Sequence, residues 1–436
     1  MKIRLNLCCS VLFVLTTLFC EQSKAQAVYE VYQGEVPPKG LEGKNFRLHG
    51  FVRVEAEDDS ASAYLWINIE KEKGLGFFDN MEKRPIRNKE WKEYKIEGKV
   101  DSDASVMTFG LVCTLNGKFY FRNLTLEVEK EKGKWTNIYS SNFEKCTEIK
   151  DINLRNPAPP NPNFKAELLN DAAKGGGPSL VITATGIINY GGNKVAGKFA
   201  QVNGIQLYYE IYGEGAPLLV LHGNGGSINN AAPFYPKLIG KYKVIAIDTR
   251  GQGKSTDTKV RLTYELMASD IYELLKQIKV DSAFIWGQSD GAIMALILAM
   301  EHPEKVKKVL SFGANMQPDS NAVFSWTLDW AKKNIKETKN PEEARLNQLM
   351  LDEPNIPLSN LSKIKAPVLI MSGDRDMIRL EHTIKLFQHI PNAHLCIVPG
   401  STHGAAWEKE DLFLTLMNNF FDKRFEMPDS RSWMTQ

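Results

Sequence analysis

Hydrophobic and polar positions alternate along the first third of the chain. Apolar side chains occupy every second position in four short runs, at 52–56, 65–69, 107–115 and 124–128. A period of two is typical of β-strands with one buried face. The pattern predicts an antiparallel β-sandwich. A hairpin is expected at Asn116-Gly117, because this dipeptide favours two-residue turns.

A different pattern begins near Val195. Continuous apolar runs alternate with amphipathic helical segments, and the runs lie at 218–221, 244–247, 284–286, 309–312, 368–371 and 395–398. Strands without alternation are buried on both faces, so these runs predict a mostly parallel, doubly wound sheet covered by helices. A hairpin at 202–209 precedes them. Ligands of such sheets bind at the carboxyl ends of the strands.

Between the two halves lie segments that tolerate little regular structure. Prolines recur through 156–163, and the glycines at 175–177 precede Pro178. Proline lacks the donor N–H and fixes its own φ, which predicts an extended connector. The chain has 436 residues, more than one domain usually contains. We therefore predict a carbohydrate-binding-like β-sandwich at 28–130, a linker at 131–194 and a second domain at 195–425.

Residues 1–27 have the pattern of a secretory signal peptide. Lys2 and Arg4 precede an apolar stretch, and Ala25-Gln26-Ala27 is a small-x-small cleavage site. The apolar stretch is shorter than the roughly 20 residues that a spanning helix needs. We predict cleavage after Ala27 and a periplasmic or secreted protein with no stable membrane span. An uncleaved anchor, or a lipoprotein attached at Cys20, is the alternative.

The net charge and the cysteine spacing argue against several classes of function. A net charge of +2 gives no concentrated basic face, so a nucleic-acid partner is not expected. After the signal peptide the cysteines are Cys113, Cys146 and Cys396, far apart and without a C-x-x-C pair. This spacing indicates neither a zinc site nor a disulfide framework. Buried free thiols are favoured, and a single bridge stays open.

One pentapeptide follows the apolar run at 284–286 and opens a helical one: Gly287-Gln288-Ser289-Asp290-Gly291. The spacing G-x-S-x-G between a strand and a helix is that of a nucleophile elbow. Glycine accepts backbone angles that cost other residues energy. The turn is therefore expected to lift the Ser289 hydroxyl off the sheet edge, where a substrate can reach it.

Two glycine-containing loops follow the strand runs upstream. The first, His222-Gly223-Asn224-Gly225-Gly226, can turn backbone N–H groups toward a bound oxygen, and such donors stabilise the oxyanion of acyl transfer. We predict an oxyanion hole formed by the N–H groups of Asn224 and Asp290, with His222 bonded to loop backbone. The second loop, 248–255, lacks the spacing of a phosphate loop. It is expected to shape the site.

A serine hydroxyl is a poor nucleophile at neutral pH and needs a base. His403 follows the last strand run and is the predicted base. Asp374 and Asp376 follow the run before it, and the pattern Gly373-x-x-Asp376 favours Asp376 as the acid that orients the imidazole. Catalytic nucleophile, acid and histidine thus stand at strand ends in that order.

From Val195 to about Lys423 the chain resembles α/β-hydrolase-fold proteins. The resemblance rests on the His-Gly loop, the Asp-x-Arg-Gly-x-Gly-x-Ser loop at 248–255, the elbow at Ser289, the Gly-x-x-Asp strand end and the late histidine. It implies hydrolysis of an ester, amide or related bond through an acyl-serine, without a cofactor or metal. Serine at the elbow differs from the aspartate of haloalkane dehalogenases.

The segment between Asn315 and Lys363 is where that family inserts its cap. It is short, and such a compact cap favours a small ester over a long triglyceride. Aromatic and sulfur side chains there either cover an apolar pocket or pack the cap onto the core, and both interpretations stay open. These residues are Phe324, Trp326, Trp330 and Met350, with Trp407 beside the histidine.

The first half is similar to the galactose-binding-like jelly-roll modules of exported bacterial enzymes. The similarity rests on Trp91-x-x-Tyr94-x-Ile96-x-Gly98, on Met107-x-Phe109-Gly110 and on 119–128. It implies a carbohydrate surface of exposed aromatics or, if these side chains are core, a spacer. The candidates for such a surface are Tyr64, Trp66, Phe77, Phe78 and Trp91.

The sequence predicts an exported serine hydrolase that cleaves a small carboxylic ester, or an amide, through an acyl-serine. One alternative keeps the three residues but changes the chemistry, as in cofactor-free perhydrolases, haloperoxidases or lyases. The other is a non-catalytic protein that binds carbohydrate or another ligand. Ser289, Asp376 and His403 argue against it, because binding alone requires none of them.

Overall fold

The computed structural model describes residues 28–71, 76–141, 143, 154–157, 161–169 and 178–434. The predicted signal peptide at 1–27, Cys146 and the glycines at 175–177 lie outside them. The described chain divides into two compact units, with the boundary between Gly192 and Asn193. No helix within the described residues is long and apolar enough to cross a membrane.

The N-terminal unit consists of antiparallel strands in two sheets. The strands are β1 (Tyr29–Val36), β2 (Asn45–Ala56), β3 (Ser62–Lys71), β4 (Phe78–Asp79), β5 (Lys92–Lys99), β6 (Ala104–Thr114), β7 (Gly117–Glu131), β8 (Lys134–Ser141), β9 (Phe164–Leu169) and β10 (Ser179–Ala184). One sheet has the order β1-β6-β3-β4, and the other β5-β2-β7-β10-β9 with β8 also beside β7. Buried side chains from both sheets form one hydrophobic cluster.

The alternating positions identified in the sequence are buried. Val52, Leu65, Ile67, Phe109 and Leu126 are fully enclosed in this cluster. Alternation predicts strands correctly here because each strand turns one face to the cluster. The prediction of an antiparallel β-rich first half is confirmed.

The hairpin predicted at Asn116-Gly117 is wrong. This turn connects β6 of one sheet to β7 of the other, so its flanking strands do not pair. Strand β6 pairs with β1 and β3, while β7 pairs with β2, β8 and β10. The Asn116 side chain bonds the Asp58 carboxylate and the Ile187 carbonyl, which fixes the turn by contacts outside the dipeptide.

The linker predicted at 131–194 is also wrong over much of its length. Strands β8, β9 and β10 lie within it and extend the sheet that contains β7. Pro157, Pro162 and Pro178 lie outside the strands, as expected, but β9 begins shortly after Pro162 and β10 directly after Pro178. Leu180, Ile182 and Ala184 are fully buried at every second position of β10.

The C-terminal unit is built on one eight-stranded sheet. Its strands are β11 (Gly197–Val202), β12 (Ile205–Tyr212), β13 (Ala216–Leu221), β14 (Tyr242–Ile247), β15 (Ala283–Gln288), β16 (Val306–Phe312), β17 (Val368–Gly373) and β18 (Ala393–Val398). The order is β11-β12-β14-β13-β15-β16-β17-β18. All pairs from β14 to β18 are parallel, whereas β12 is antiparallel to both of its neighbours. Every predicted apolar run is thus a strand.

Helices connect these strands. They are α1 (Tyr235–Leu238), α2 (Tyr264–Gln277), α3 (Asp290–Glu301), α4 (Ser325–Glu337), α5 (Pro341–Asp352), α6 (Leu380–His389), α7 (Ala405–Glu408), α8 (Glu410–Asp422) and α9 (Arg431–Met434). Helix α3 is buried from Asp290 to Ala299, as expected for a helix that is apolar all round. Helices α4 and α5 lie between β16 and β17, where the cap was predicted.

Candidate active site

Ser289 lies between β15 and α3 in a strained backbone conformation. Its φ of 54° and ψ of −117° are unusual for a residue with a side chain. The neighbouring glycines are required by close packing. A Cβ on Gly287 would lie 2.3 Å from the carbonyl oxygen of Gly291, and one on Gly291 would lie 2.2 Å from that of Leu221. The sequence spacing thus produces the tight turn that was expected.

The structure brings His403 and Asp376 together. Nδ1 of His403 lies 2.6 Å from Oδ1 of Asp376. The same carboxylate accepts hydrogen bonds from the Ile378 N–H at 3.0 Å and the Ser372 hydroxyl at 3.0 Å. Burial acts to raise the pKa of Asp376, but the hydrogen bond and charge of His403, with the other donors, hold it below its ordinary value. The carboxylate therefore stays ionised beside the imidazole.

Asp374 occupies a different position. Its carboxylate accepts a hydrogen bond of 3.1 Å from the Ser401 N–H. The backbone donors of Gly400 and Ser401 lower its pKa. Asp374 thus fastens the loop before His403, whereas Asp376 contacts the imidazole itself. The geometry agrees with the sequence preference for Asp376.

His222 bonds only backbone and a threonine among the described residues. Its Nδ1 lies 2.7 Å from the Gly223 carbonyl oxygen, and its Nε2 lies 3.1 Å from the Thr249 nitrogen. Burial lowers the pKa of His222 to about 4, so the ring is neutral at pH 7. These contacts give His222 the structural place that was predicted for it.

Asn224 and Asp290 are joined through their side chains. Nδ2 of Asn224 lies 3.0 Å from Oδ2 of Asp290 and 3.1 Å from the carbonyl oxygen of Leu346 in α5. The Tyr264 hydroxyl also bonds the Asp290 carboxylate. Burial raises the pKa of Asp290 to about 6, and the bonds from Asn224 and Tyr264 oppose that rise. The predicted oxyanion donors are the backbone N–H groups of these same two residues, and Asp290 begins α3, where N–H groups lack intrahelical partners.

The loop at 248–255 has contacts that shape the site. Asp248 accepts hydrogen bonds of 2.7 Å from the Ile228 and Lys254 N–H groups. A Cβ on Gly253, whose φ is 57°, would lie 2.2 Å from the Asp248 carboxyl carbon. Arg250 is buried and binds both oxygens of Asp270, at 2.6 and 2.7 Å. The Asp248 carboxylate and the Arg250 guanidinium are therefore engaged in contacts within the fold.

A cavity of about 540 Å³ is lined by Ser289, His403 and Asn224 among the candidate residues. Ser289 and His403 line it together with the backbone of the His222 loop. Most other lining side chains are apolar or aromatic. They include Trp326, Trp330, Met350 and Trp407, which the sequence analysis had named, and also Trp286 and Met377. Phe324 instead lies under the Arg379 guanidinium, 4.5 Å from the ring centre. Within the described residues, no cluster of His, Cys, Asp or Glu suited to a metal ion occurs.

Sequence reasoning missed two residues that place the histidine. Nε2 of Gln288 donates a hydrogen bond of 2.8 Å to the carbonyl oxygen of His403. A Cβ on Gly313 would lie 2.5 Å from Cε1 of His403. Gly313 directly follows β16, so the rule that ligands gather at strand ends could have marked it. Gln288 gave no such signal, because its position in the elbow pattern accepts any residue.

The fold and site together define an α/β hydrolase. Residues 216–359 match the family model for the alpha/beta hydrolase fold. The match lies within the C-terminal unit and supports an α/β-hydrolase enzyme.

Several hydrolases are similar to it. Serine hydrolase BPHL of Mus musculus is 28% identical over 257 residues, covering 52% of this chain and 87% of that protein. The putative carbamate hydrolase RutD of Caulobacter sp. (strain K31) is 26% identical, covering 49% and 95%. The 2-hydroxy-6-oxo-6-phenylhexa-2,4-dienoate hydrolase of Burkholderia cepacia is 26% identical, covering 51% and 95%.

Proposed function

We propose that this protein is a serine esterase that acts through an acyl-serine. His403 takes the proton from the Ser289 hydroxyl as its oxygen attacks the ester carbonyl. The backbone N–H groups of Asn224 and Asp290 stabilise the oxyanion. The protonated His403, held by Asp376, gives the proton to the departing alcohol. Water, activated by His403, then releases the acid and restores Ser289.

The observation that carries this proposal is the hydrogen bonding of the two nitrogens of the His403 ring. One nitrogen is fixed 2.6 Å from the Asp376 carboxylate, while Nε2 finds no hydrogen-bond partner among the described residues. This leaves Nε2 as the nitrogen available for proton transfer in the cavity that Ser289 also lines. A histidine with only a structural role would be expected to use both nitrogens, as His222 does.

The cavity lining supports an uncharged substrate. The dienoate hydrolase among the relatives is named for a carboxylate substrate. A buried carboxylate needs a cationic or hydrogen-bonding partner. No Lys or Arg lines the cavity within the described residues, and the side-chain N–H groups of Asn224 and Gln288 that line it already donate to Asp290, Leu346 and His403. We therefore favour a neutral carboxylic ester over a dienoate for this chain.

The test is covalent labelling and turnover. Purified protein should hydrolyse p-nitrophenyl acetate or butyrate and react with a fluorophosphonate probe. Ser289→Ala should abolish both, and Ser325→Ala, an exposed serine in α4, should leave both intact. Labelling that persists in Ser289→Ala would disprove the nucleophile assignment.

We also propose that the enzyme is exported. Support comes from the charged, apolar and small-residue pattern of positions 1–27. The protein recovered from periplasm or medium should begin at residue 28. An N-terminal sequence that starts at Met1 would contradict cleavage.

For the N-terminal unit we propose a β-sandwich that serves as a spacer rather than a sugar-binding surface. Trp66 is fully buried, and the Arg122 guanidinium lies 4.3 Å from the Trp91 ring centre. Neither indole is then free to stack on a sugar. Affinity electrophoresis of the full chain in polysaccharide gels should show no retardation. Retardation that Tyr64→Ala removes would instead support carbohydrate binding.

A further inference from the structure

Two exposed tryptophans stand at the cavity on the cap helix α4. Trp326 is 59% exposed and Trp330 is 52% exposed, yet both line the cavity that contains Ser289. Of the tryptophan side chains that the structure describes, only these two are more than half exposed. They are four residues apart, so they lie on one face of the helix.

Packing of the cap does not explain these two indoles. Thr327 and Ala331, each one position after a tryptophan and so turned about 100° from it around the helix, are the buried residues of α4. Scattered exposed apolar residues are ordinary, but adjacent ones mark a binding surface. Here the surface is continuous with a cavity of about 540 Å³, a volume within the range of small-molecule sites.

The chemistry of the lining defines what the surface can hold. No Lys, Arg, Asp or Glu lines the cavity within the described residues. An anion finds no Lys or Arg there. Indole faces do attract cations, but no Asp or Glu lines the cavity to assist them. Flat, uncharged rings match indole faces by stacking or edge contacts.

We propose that Trp326 and Trp330 form a subsite for a neutral aromatic ring of the substrate, so that the enzyme prefers aromatic esters. This inference rests on the proposed esterase function and adds the substrate class. The ring belongs to either the acyl or the alcohol half of the ester, since both halves extend from the carbonyl that Ser289 attacks.

The experiment compares matched esters in matched variants. The substrates are 2-naphthyl acetate, with the ring on the alcohol, methyl 2-naphthoate, with the ring on the acid, and ethyl acetate, with no ring. The variants are Trp326→Ala, Trp330→Ala and Trp330→Phe, with Asp329→Ala as an exposed control on the same helix. Circular dichroism and thermal melting verify that each variant is folded.

Because naphtholate is a better leaving group than ethoxide, each variant is compared with the wild type on the same ester, and one naphthyl ester should depend on the two tryptophans. Each tryptophan-to-alanine change should lower kcat/KM for that ester about 3- to 10-fold, the value of one aromatic contact. Ethyl acetate turnover should stay within about 2-fold, and Trp330→Phe should retain most of the wild-type kcat/KM for that naphthyl ester. The ester that loses activity identifies the half of the substrate that carries the ring.

Three outcomes would overturn the subsite. One is an equal loss for the ringed and ringless esters, and another is no loss for either naphthyl ester. The third is tryptophan-dependent hydrolysis of butyrylcholine without any aromatic preference, which would indicate a cation. None of these affects the esterase proposal itself, which stands or falls with the Ser289→Ala control on ethyl acetate and p-nitrophenyl acetate.

Discussion

The side-chain amide of Asn224 donates a hydrogen bond of 3.0 Å to the carboxylate of Asp290, the residue after the candidate nucleophile. The same amide donates at 3.1 Å to the carbonyl oxygen of Leu346 in the cap. One side chain therefore ties together the predicted oxyanion loop, the nucleophile elbow and the cap helix α5. Because hydrogen bonds to a buried carboxylate are strong, this link holds the two proposed oxyanion donors in register.

We expect Asn224→Ala to slow catalysis although its backbone N–H remains. Loss of a hydrogen bond to a charged group costs about 1.5–3 kcal/mol, so kcat should fall about 10- to 100-fold. Steady-state kinetics with p-nitrophenyl acetate measure this fall. A double-mutant cycle with Asp290→Asn should show coupling. Strict additivity of the two changes would mean that the link does not position the donors.

The pH dependence of the free energy of unfolding should reflect the raised pKa of Asp290. Its pKa is about 6 in the fold against an ordinary 3.8, so the folded protein binds more protons between these values. Asp290 therefore contributes to the free energy of unfolding below about pH 4, where it is protonated. This contribution is lost as the pH rises through 6. Relative to wild type, Asp290→Asn should therefore gain on the order of 2–3 kcal/mol across this window.

Urea denaturation of both proteins from pH 4 to pH 7 measures that change. Asp248, whose pKa burial also raises to about 6, is present in both proteins and cancels in the comparison. A difference between the two proteins that stays constant with pH would contradict a raised pKa at Asp290.

Substitution of Asp376 and of Asp374 should have clearly different effects on kcat. Asp376→Asn removes the charge beside His403, and the equivalent change in other serine hydrolases lowers kcat about 10⁴-fold. Asp374→Asn changes only the loop contacts with Gly400 and Ser401, so its kcat should fall less than about 10-fold. Kinetics on the two purified variants decide between them, and the reverse ranking would exchange their roles.

Gln288 should prove to be a positioning residue. In Gln288→Glu the side chain keeps its shape but loses the N–H that bonds the His403 carbonyl. We expect kcat to fall about 10-fold with KM little changed, because the histidine is misplaced while the cavity is intact. The variant should still react with a fluorophosphonate, more slowly. Unchanged kcat would assign Gln288 to packing alone.

Much of the C-terminal unit could be predicted because its signals are local. Apolar runs such as 368–371 identify buried strands, and the motifs at their ends identify Ser289, Asp376 and His403. The carboxyl ends of parallel strands meet at one edge of the sheet, which brings distant positions together. Contacts of Gln288 and Tyr264 could not be predicted, since they depend on side chains that meet only in the folded chain.

The errors in the first half have a related cause. Asn116-Gly117 has the composition of a hairpin, but composition does not say which strands pair. Apart from β8, which directly follows β7, the partners of β6 and β7 are distant in sequence, and their pairing overrides the local preference of the turn. Strand β10 was missed because the breakers before it outweighed its short apolar run, Leu180-Val181-Ile182.

The backbone conformation of Ser289 is needed for catalysis but lowers the stability of the fold. A residue with a side chain held at a φ of 54° costs the fold on the order of 1–3 kcal/mol, a strain that glycine largely avoids. Ser289→Gly should therefore give an inactive protein with a higher melting temperature than the wild type. Selection for thermal stability alone would favour replacement of Ser289. A search for more stable variants therefore has to measure turnover at the same time.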